Sequence, residues 1–282
     1  MPEPCISDVD FTMFRELFYR KTGIWFEDGK RYFVDRRLSE RILASGKGSF
    51  RQYYQKLRWS DNGAEWQALI NALTVNETYF FREVHQFECL VNSMLEEIAQ
   101  HKTPGGVIRI WSIPSSSGEE PYSLAIYLLE KWRKLSEFDV EILASDIDTE
   151  ALERARAGVY SARSVQYLPK EYLLKYFTPL PGDQYQLNEE IRGTVAFSRI
   201  NLVDPQDTGM FQNIDVVFCR NLLIYFDDIS RRRAAETLYD ALAPGGFICL
   251  GHSESMSRIS SLFTLRRFPE AIVYQKPIRR AP

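Results

Sequence analysis

The 282-residue sequence has no long apolar run, few cysteines and histidines, and a formal charge of only −3. No stretch approaches the roughly 20 apolar residues of a transmembrane helix, and the N-terminus lacks the basic start and apolar core of a signal peptide. We therefore expect a cytoplasmic protein with no membrane insertion. The near-neutral charge also argues against nucleic acid as a partner. The length suits one large domain or two modest ones.

The cysteines and histidines are too far apart to form a disulfide framework or a zinc site, because no C-x-x-C pair and no metal-ligand spacing occurs. Two of the cysteines lie in apolar runs, where cysteine is usually a small buried hydrophobic residue. We expect no metal site. The residues are Cys5, Cys89, Cys219 and Cys249, with His85, His101 and His252.

The spacing of apolar residues divides the chain into two parts. Over residues 8–75 they recur at the spacing of short amphipathic helices, separated by glycine-bearing breaks such as "SDNG". This predicts an N-terminal all-α domain over residues 1–80. In residues 81–282, apolar runs alternate with helical patterns from residue 107, which predicts an α/β domain with a Rossmann-like doubly wound sheet. The predicted strands are 107–112, 140–145, 214–219 and 247–251, with helices after the first two and at about 229–243.

Residues 168–200 break this alternation. The segments "QYQLN" and "TVAFSRI" alternate apolar and polar residues as antiparallel strands do. We predict a small antiparallel β insertion here. The C-terminal segment "RRFPEAIVYQKP" predicts one more strand, at the edge of the main sheet.

The segment "SSSGEEPYS", residues 115–123, lies between the first predicted strand and a helix. A strand, a glycine turn and a helix normally bind a phosphate. Glu119 and Glu120 at the helix start would repel one, although acidic residues there also complement the helix dipole. At the carboxyl end of a sheet strand, where ligands bind in such folds, they favour a cationic ligand. S-adenosylmethionine, with its sulfonium and ammonium groups, fits this turn better than NAD or ATP.

Further polar residues follow the second and third predicted strands. Asp146 ends the second strand, where an acidic residue commonly accepts ribose hydroxyl groups. Asp148 or Thr149 alternatively only caps the next helix. Arg220 and Asn221 interrupt the apolar run of the third strand, and they either anchor the structure or contact a ligand.

Two more candidates lie near the same crevice. Arg82 is placed at the junction of the two parts, where the helical domain would close over the sheet, and clefts between domains are common ligand sites. Tyr225 follows the third strand and either points its hydroxyl group into the crevice or packs as a half-buried core tyrosine.

Six segments, in this order, together resemble the CheR-type chemoreceptor methyltransferases. The resemblance extends from about residue 8 to the C-terminus, and the linked set is far more specific than any single motif. The segments are "NETYFFRE", "IWSIPSSSGEEPYSLAI", "ASDIDTEALERARAGVY", "INL", "FCRNLLIYFD" and "LAPGGFICLGHSES".

The resemblance implies an S-adenosylmethionine-dependent enzyme that esterifies glutamate side chains on the cytoplasmic helices of bacterial chemoreceptors and releases S-adenosylhomocysteine. It implies that Arg82 and Tyr225 lie closest to the methyl transfer. The donor-binding residues that it implies are Asn76, Thr78, Arg82, Glu120, Asp146, Asn201, Leu202, Arg220 and Asn221.

The expected partners follow from charge and from the resemblance. Residues 28–58 carry nine Lys or Arg against three Asp or Glu, which indicates a solvated helix face or a docking surface for an acidic receptor helix. A regulatory protein is another candidate partner of the helical domain. The loop "TPLPGDQYQLN" is shorter than in members that bind a receptor's C-terminal tether, so we expect tether-independent action. No sequence pattern bears on the oligomeric state, for which we expect a monomer.

Two other functions stay open at this point. A methyltransferase of the same fold acting on another substrate, such as RNA, is one, although the sequence shows no aromatic platform for stacking bases. A donor-binding regulatory domain without catalysis is the other.

Overall fold

The computed structural model describes residues 6–59 and 63–278, so Cys5 and most of the predicted "SDNG" break lie outside the described residues. Residues 8–73 form an all-α layer, as predicted. Its helices bury one apolar face each, for example Phe11, Phe14 and Phe18 in the first. The four helices are α1 (Asp8–Thr22), α2 (Arg31–Ala44), α3 (Phe50–Trp59) and α4 (Ala64–Leu73).

Local signals set the ends of α1. Ser7 and Asp10 form a capping box at its start, in which each side chain accepts a hydrogen bond from the other's main-chain N–H at 3.2 Å. Gly23, with φ of 74°, ends the helix in the left-handed conformation. The chain then turns back towards the rest of the molecule, which brings residues 24–30 close to the sheet domain.

The main sheet has seven strands in the order β6-β2-β1-β7-β8-β10-β9. The first five are parallel to one another. At one edge, β10 pairs antiparallel with β8, and β9 pairs antiparallel with β10. The seven strands are β1 (Val107–Ser112), β2 (Asp139–Asp146), β6 (Val195–Arg199), β7 (Ile214–Cys219), β8 (Leu242–Leu250), β9 (Thr264–Arg267) and β10 (Ile272–Gln275).

A separate sheet of three antiparallel strands lies between β2 and β6 in the sequence, with the order β3-β5-β4. A tight turn over residues 181–183 joins its last two strands. The small antiparallel insertion is thus confirmed, and its first strand comes earlier than predicted. The strands are β3 (Val159–Ser161), β4 (Phe177–Leu180) and β5 (Gln184–Leu187).

Two strand predictions are wrong. The segment "TVAFSRI" contains β6, which pairs in parallel with β2 in the main sheet and does not belong to the small sheet. The C-terminal segment gives two strands, because the chain reverses after Phe268, whose N–H donates to the carbonyl oxygen of Ala271 at 3.0 Å. The strand at this edge of the main sheet is therefore β9.

Helices cover both faces of the main sheet. Within the described residues none has both the length and the apolar character needed to cross a membrane. The division at residue 80 stays a prediction; α4 ends at Leu73 and the next helix begins at Val84. The remaining helices are α5 (Val84–Cys89), α6 (Leu95–Ala99), α7 (Glu119–Lys131), α8 (Thr149–Ala157), α9 (Ala162–Val165), α10 (Lys170–Tyr176), α11 (Glu189–Arg192), α12 (Pro205–Thr208) and α13 (Asp228–Ala241).

Each sheet face belongs to its own hydrophobic core. Val216 and Phe218 of the fully buried strand β7 contribute to the core beneath α5 and α7, whereas Val217 and Cys219 contribute to the core that includes α13. The core that includes α13 is continuous with the apolar faces of α1 to α4. The α/β doubly wound fold is confirmed, with the helical layer packed against one sheet face.

Candidate functional site

A cavity of about 920 Å³ lies at the carboxyl ends of β1, β2 and β7, between the sheet and the helical layer. This is the edge of the sheet at which α/β folds bind ligands. Every predicted site residue lines this one cavity. These residues are Asn76, Thr78, Arg82, Glu120, Asp146, Asn201, Leu202, Arg220, Asn221 and Tyr225.

The glycine turn after β1 fits closely against its neighbours. Gly118 has φ of 94°, and a Cβ atom there would lie 2.9 Å from side-chain atoms of both Ala155 and Tyr122. Only glycine therefore lets α7 approach α8 this closely. The hydroxyl groups of Ser115 and Ser116, both in the cavity wall, are buried and have no hydrogen-bond partner among the described residues. They are free to bind a ligand.

The two glutamates after this turn have different environments. Glu119 faces away from the cavity and accepts hydrogen bonds from the hydroxyl groups of Ser117 and Ser164, both at 2.8 Å. Glu120 lies in the cavity wall and accepts one from Ser112 Oγ at 2.7 Å. Burial raises the pKa of both carboxyl groups. Only Glu120 is placed to select a cationic ligand.

Arg220 joins the end of β7 to the segment after α4. Its side chain is only 2% exposed, and its Nη1 donates to Glu120 at 2.9 Å. Its Nη2 lies 3.2 Å from Glu83 Oε2 and donates to the main-chain oxygen of Arg82 at 2.7 Å. Of the two roles that the sequence left open, Arg220 acts as an anchor, and it also forms part of the cavity wall.

Arg82 lies in a strained turn. Its neighbours Phe81 and Glu83 have φ values of 62° and 57°, a conformation that costs about 1–3 kcal/mol for residues with a side chain. The turn is held by Arg220 and by a hydrogen bond of 3.0 Å from the Phe81 N–H to Ser123 Oγ. Such strain is typical of functional sites.

The guanidinium of Arg82 is half-buried at the cavity wall. Its Nη1 donates to the main-chain oxygen of Glu77 at 3.1 Å, and its Cζ lies 5.6 Å from the ring centroid of Tyr79. Within the described parts of the chain it forms no ion pair. Because its charge is not neutralised by a carboxylate, Arg82 can bind an anionic group that approaches the cavity.

Asp146 and Asp148 divide the two roles predicted for them. Asp146 lines the cavity and accepts hydrogen bonds from the N–H groups of Ser116 at 2.7 Å and Asp148 at 2.9 Å. Burial raises the pKa of Asp146 to about 6. Asp148 caps α8 and also accepts hydrogen bonds from the side chains of Thr74 and Asn76. Asn76 therefore braces the segment after α4 against the loop after β2.

Asn201 and Leu202 connect the loop after β6 to the helical layer. The Asn201 side chain donates to the main-chain oxygen of Lys21, at the end of α1, at 2.8 Å. Leu202 and Ile200 are buried and give this side of the cavity an apolar surface. An aromatic base would be well accommodated against that surface.

Tyr225 lies in a short 3-10 turn, Leu223–Tyr225, after β7. It is half-buried, and burial raises the pKa of its hydroxyl group although the charge of Arg82 opposes this shift. The sequence prediction missed the residue that holds this turn. Glu254, after β8, accepts hydrogen bonds from the N–H groups of Asn221, Leu223 and Gly251 at 2.7–2.8 Å. Its signal was an acidic residue four positions after the end of a buried strand.

The sequence predicted that the helical domain closes over the crevice, but it did not show which segment lines the cavity. The segment after α1 forms an antiparallel bridge between Ile24 and Phe226, and the Trp25 N–H donates to the main-chain oxygen of Tyr225 at 3.2 Å. The hydroxyl group of Tyr19 donates to Asp227 at 2.9 Å. This segment lines the cavity, so the helical layer forms part of the site.

Two family models match the chain and together cover most of it. The CheR methyltransferase SAM-binding domain matches residues 76–272, and the CheR methyltransferase all-alpha domain matches residues 9–74. The chain belongs to the CheR methyltransferase family. It is therefore an S-adenosylmethionine-dependent methyltransferase of the chemotaxis type, as the resemblance implied.

Curated relatives agree over nearly the full chain. The chemotaxis protein methyltransferase 2 of Vibrio cholerae is 55% identical over 277 residues, covering 98% of this chain and 96% of the relative. The chemotaxis protein methyltransferase of Salmonella typhimurium is 38% identical, covering 93% and 88%. That of Escherichia coli is 36% identical, covering 93% and 89%.

The residues of the cavity fit S-adenosylmethionine. The carboxylate of Glu120 suits its cationic groups, and that of Asp146 can accept hydrogen bonds from its ribose hydroxyl groups. The unpartnered hydroxyl groups of Ser115 and Ser116 are available to its polar atoms, and the apolar surface beside Leu202 suits its adenine ring.

Proposed function

We propose that this CheR family member transfers the methyl group of S-adenosylmethionine to glutamate side chains on the cytoplasmic helices of bacterial chemoreceptors. The observation that carries this proposal is the position of Arg82. Its guanidinium lines the donor cavity and forms no ion pair within the described parts of the chain. Such a group suits an incoming carboxylate. The reaction would take place in the cytoplasm, where those receptor helices lie.

In the proposed reaction a glutamate oxygen attacks the methyl carbon in line with the sulfur. A carbon–oxygen bond forms, the carbon–sulfur bond breaks, and its electron pair stays on the sulfur, so the products are a methyl ester and S-adenosylhomocysteine. The donor supplies an activated methyl group on a positively charged sulfur. A glutamate side chain, with a pKa near 4.3, is already ionised at neutral pH, so the protein needs no general base.

The protein's own contribution is then to orient the carboxylate and exclude water, which supplies at most roughly 7–11 kcal/mol. We assign the orientation of the carboxylate to Arg82. Tyr225 shapes the channel through which the methyl group passes.

We assign donor binding to the other cavity residues, with Arg82 bordering the donor as well. Glu120 and Asp146 face the cationic and ribose parts, and Asn201 and Leu202 flank the adenine. The complete donor-binding set is Asn76, Thr78, Arg82, Glu120, Asp146, Asn201, Leu202, Arg220 and Asn221.

The proposal is tested with donor carrying a labelled methyl group and a purified receptor cytoplasmic fragment. We expect label on the receptor that alkali releases as methanol, because carboxyl esters are base-labile. Arg82→Ala should lose most turnover, whereas donor affinity should fall much less because the other eight residues of the donor-binding set remain. Alkali-stable label, label on RNA alone, or donor binding without transfer would each overturn the proposal.

We further propose that the basic face of α2 steers the acidic receptor helix. Much of its charge is neutralised internally, since Arg31 pairs with Asp8 and Asp35, and both Arg36 and Arg37 pair with Glu40. One net positive charge remains at the Arg36–Arg37–Glu40 group, which lies on the exposed side of the helix. Changing Arg36 and Arg37 to Glu should lower the rate at which the protein associates with the receptor, and should also weaken the salt dependence of that rate. If both are unchanged, α2 is not the docking face.

We also propose that activity does not need a receptor tether. The connection between β4 and β5 is only the short turn at residues 181–183, in keeping with the short loop noted in the sequence. Receptor fragments with and without their C-terminal tail should be methylated at similar rates. A large loss on removing the tail would contradict this.

A further inference from the structure

Two tyrosines continue outward from Arg82 on the surface. The ring of Tyr79 lies under the Arg82 guanidinium at 5.6 Å and contacts the ring of Tyr167, with centroids 4.9 Å apart. Tyr79 lines the cavity, whereas Tyr167 is 59% exposed. We call this pair the tyrosine ledge.

The mouth of the cavity is apolar beyond the ledge as well. Val75 and Ile224 both line the cavity, and they are 52% and 45% exposed. Single exposed apolar residues need no explanation, but a group around a ligand site is typical of an interaction surface. The cavity wall thus presents the cation of Arg82 together with exposed apolar side chains.

Charge near the ledge favours a protein partner over a nucleic acid. Arg163, on α9, pairs with Glu77 at 3.0 Å, so the charge of this arginine is compensated. A phosphate backbone needs several free cations along its path. An apolar side chain needs only the exposed faces of the rings.

We propose that the tyrosine ledge binds the apolar side chains that neighbour the target glutamate on its helix. This inference rests on the proposed function. The two steps of the ledge, 5.6 Å and 4.9 Å, match the helical pitch of about 5.4 Å. A receptor helix that brings its glutamate to Arg82 and runs along the ledge would place residues about one and two turns away beside Tyr79 and Tyr167.

The occupant is therefore an amphipathic helix with apolar residues about one and two turns from the glutamate. The ledge would select among glutamates on a receptor by their helical neighbours. Arg82 alone would accept any exposed carboxylate.

The test compares Tyr167→Ala with Tyr167→Phe and with Leu174→Ala, in steady-state methylation of a receptor cytoplasmic fragment. Leu174, on α10, is 75% exposed and does not line the cavity, so it is the matched control. We expect Tyr167→Ala to raise the KM for receptor about tenfold, as loss of an aromatic contact at an interface does. The kcat and the donor affinity of Tyr167→Ala should stay close to the wild-type values. Tyr167→Phe and Leu174→Ala should have a receptor KM close to that of the wild type.

An unchanged receptor KM in Tyr167→Ala would overturn the ledge while leaving the methyl transfer itself intact. So would a defect confined to RNA methylation, which would indicate base stacking on the rings. Failure of the wild-type protein to methylate any receptor would instead contradict the proposed function. In a double-mutant cycle, replacing the receptor residue two turns from the glutamate by Ala should remove the effect of Tyr167→Ala.

Discussion

The buried guanidinium of Arg220 donates a hydrogen bond of 2.7 Å to the main-chain oxygen of Arg82. The two arginines are far apart in the sequence, yet this contact sets the position of the turn that carries the proposed substrate-binding cation. The same guanidinium compensates the carboxylates of Glu83 and Glu120. The proposed donor-binding and acceptor-binding sides of the cavity are therefore held by one side chain.

Replacing this anchor should destabilise the fold. Arg220→Leu would leave the Glu83 and Glu120 carboxylates largely buried without their cation, at a cost of about 3–5 kcal/mol in the free energy of unfolding. Urea denaturation measures this loss. Arg232→Leu, at an exposed position of α13, is the control and should change stability by no more than about 0.5 kcal/mol. A similar small effect for Arg220→Leu would contradict the anchoring role.

The raised pKa of Asp146, about 6 against an ordinary value of 3.8, has two consequences. The folded protein holds this proton more tightly than the unfolded chain does, so the contribution of Asp146 to stability falls as the pH rises from about 4 to about 6. The affinity for the methyl donor should instead rise over the same pH range. S-adenosylmethionine, whose sulfur is positively charged, should bind more tightly once Asp146 is ionised, and S-adenosylhomocysteine should change less.

Calorimetry of both ligands at about pH 5 and about pH 7 measures this difference. Asp146→Asn should reduce the pH dependence without abolishing it, because Glu120 faces the same cavity and burial raises its pKa too. Identical pH profiles for the wild type and Asp146→Asn would exclude Asp146 as the titrating group.

Glu254 should act as a positioning residue for the turn that carries Asn221 and Tyr225. Glu254→Gln replaces one accepting oxygen with a donor opposite main-chain N–H groups. We expect faster hydrogen exchange of the amides at Asn221, Leu223 and Gly251, and turnover lower by about ten- to a hundredfold. Glu236→Gln, at an exposed position of α13, serves as the control. Unaltered exchange in Glu254→Gln would argue against this role.

The hydrogen bond between Tyr19 and Asp227 should stabilise the helical layer on the sheet domain. Tyr19→Phe removes only the hydroxyl group and should cost about 1.5–3 kcal/mol, as hydrogen bonds to charged groups do. Thermal and urea unfolding check this. Tyr32→Phe, at a residue that is 83% exposed, should have no effect. If both variants unfold alike, the Tyr19–Asp227 hydrogen bond does not stabilise the helical layer on the sheet domain.

Much of the architecture was predictable because buried parallel strands have continuous apolar runs. Strand β7, buried along its whole length, is the clearest case. Strand β6 was assigned to the wrong sheet for a physical reason. As the edge strand beside β2 it is only partly covered, and only Val195 of its five residues is buried, so its sequence lacks the continuous apolar run of a central parallel strand.

The residues that line the cavity were predictable, but not all of their contacts. Glu119 and Glu120 are adjacent, and successive helical residues point about 100° apart, so the sequence could not show which carboxylate faces the cavity. The partners of Arg220 depend on contacts between distant segments, which no local pattern records. The contribution of residues 24–30 was missed for the same reason.

The most direct test of the account identifies the atom that receives the methyl group. A receptor cytoplasmic fragment is incubated with S-adenosylmethionine and either wild-type protein or Arg82→Ala, and the modified peptides are sequenced by mass spectrometry. We predict a methyl group on glutamate side chains with the wild type, and little or none with Arg82→Ala although that variant still binds donor. Methylation at any other residue type, or equal methylation by both proteins, would contradict the central claim.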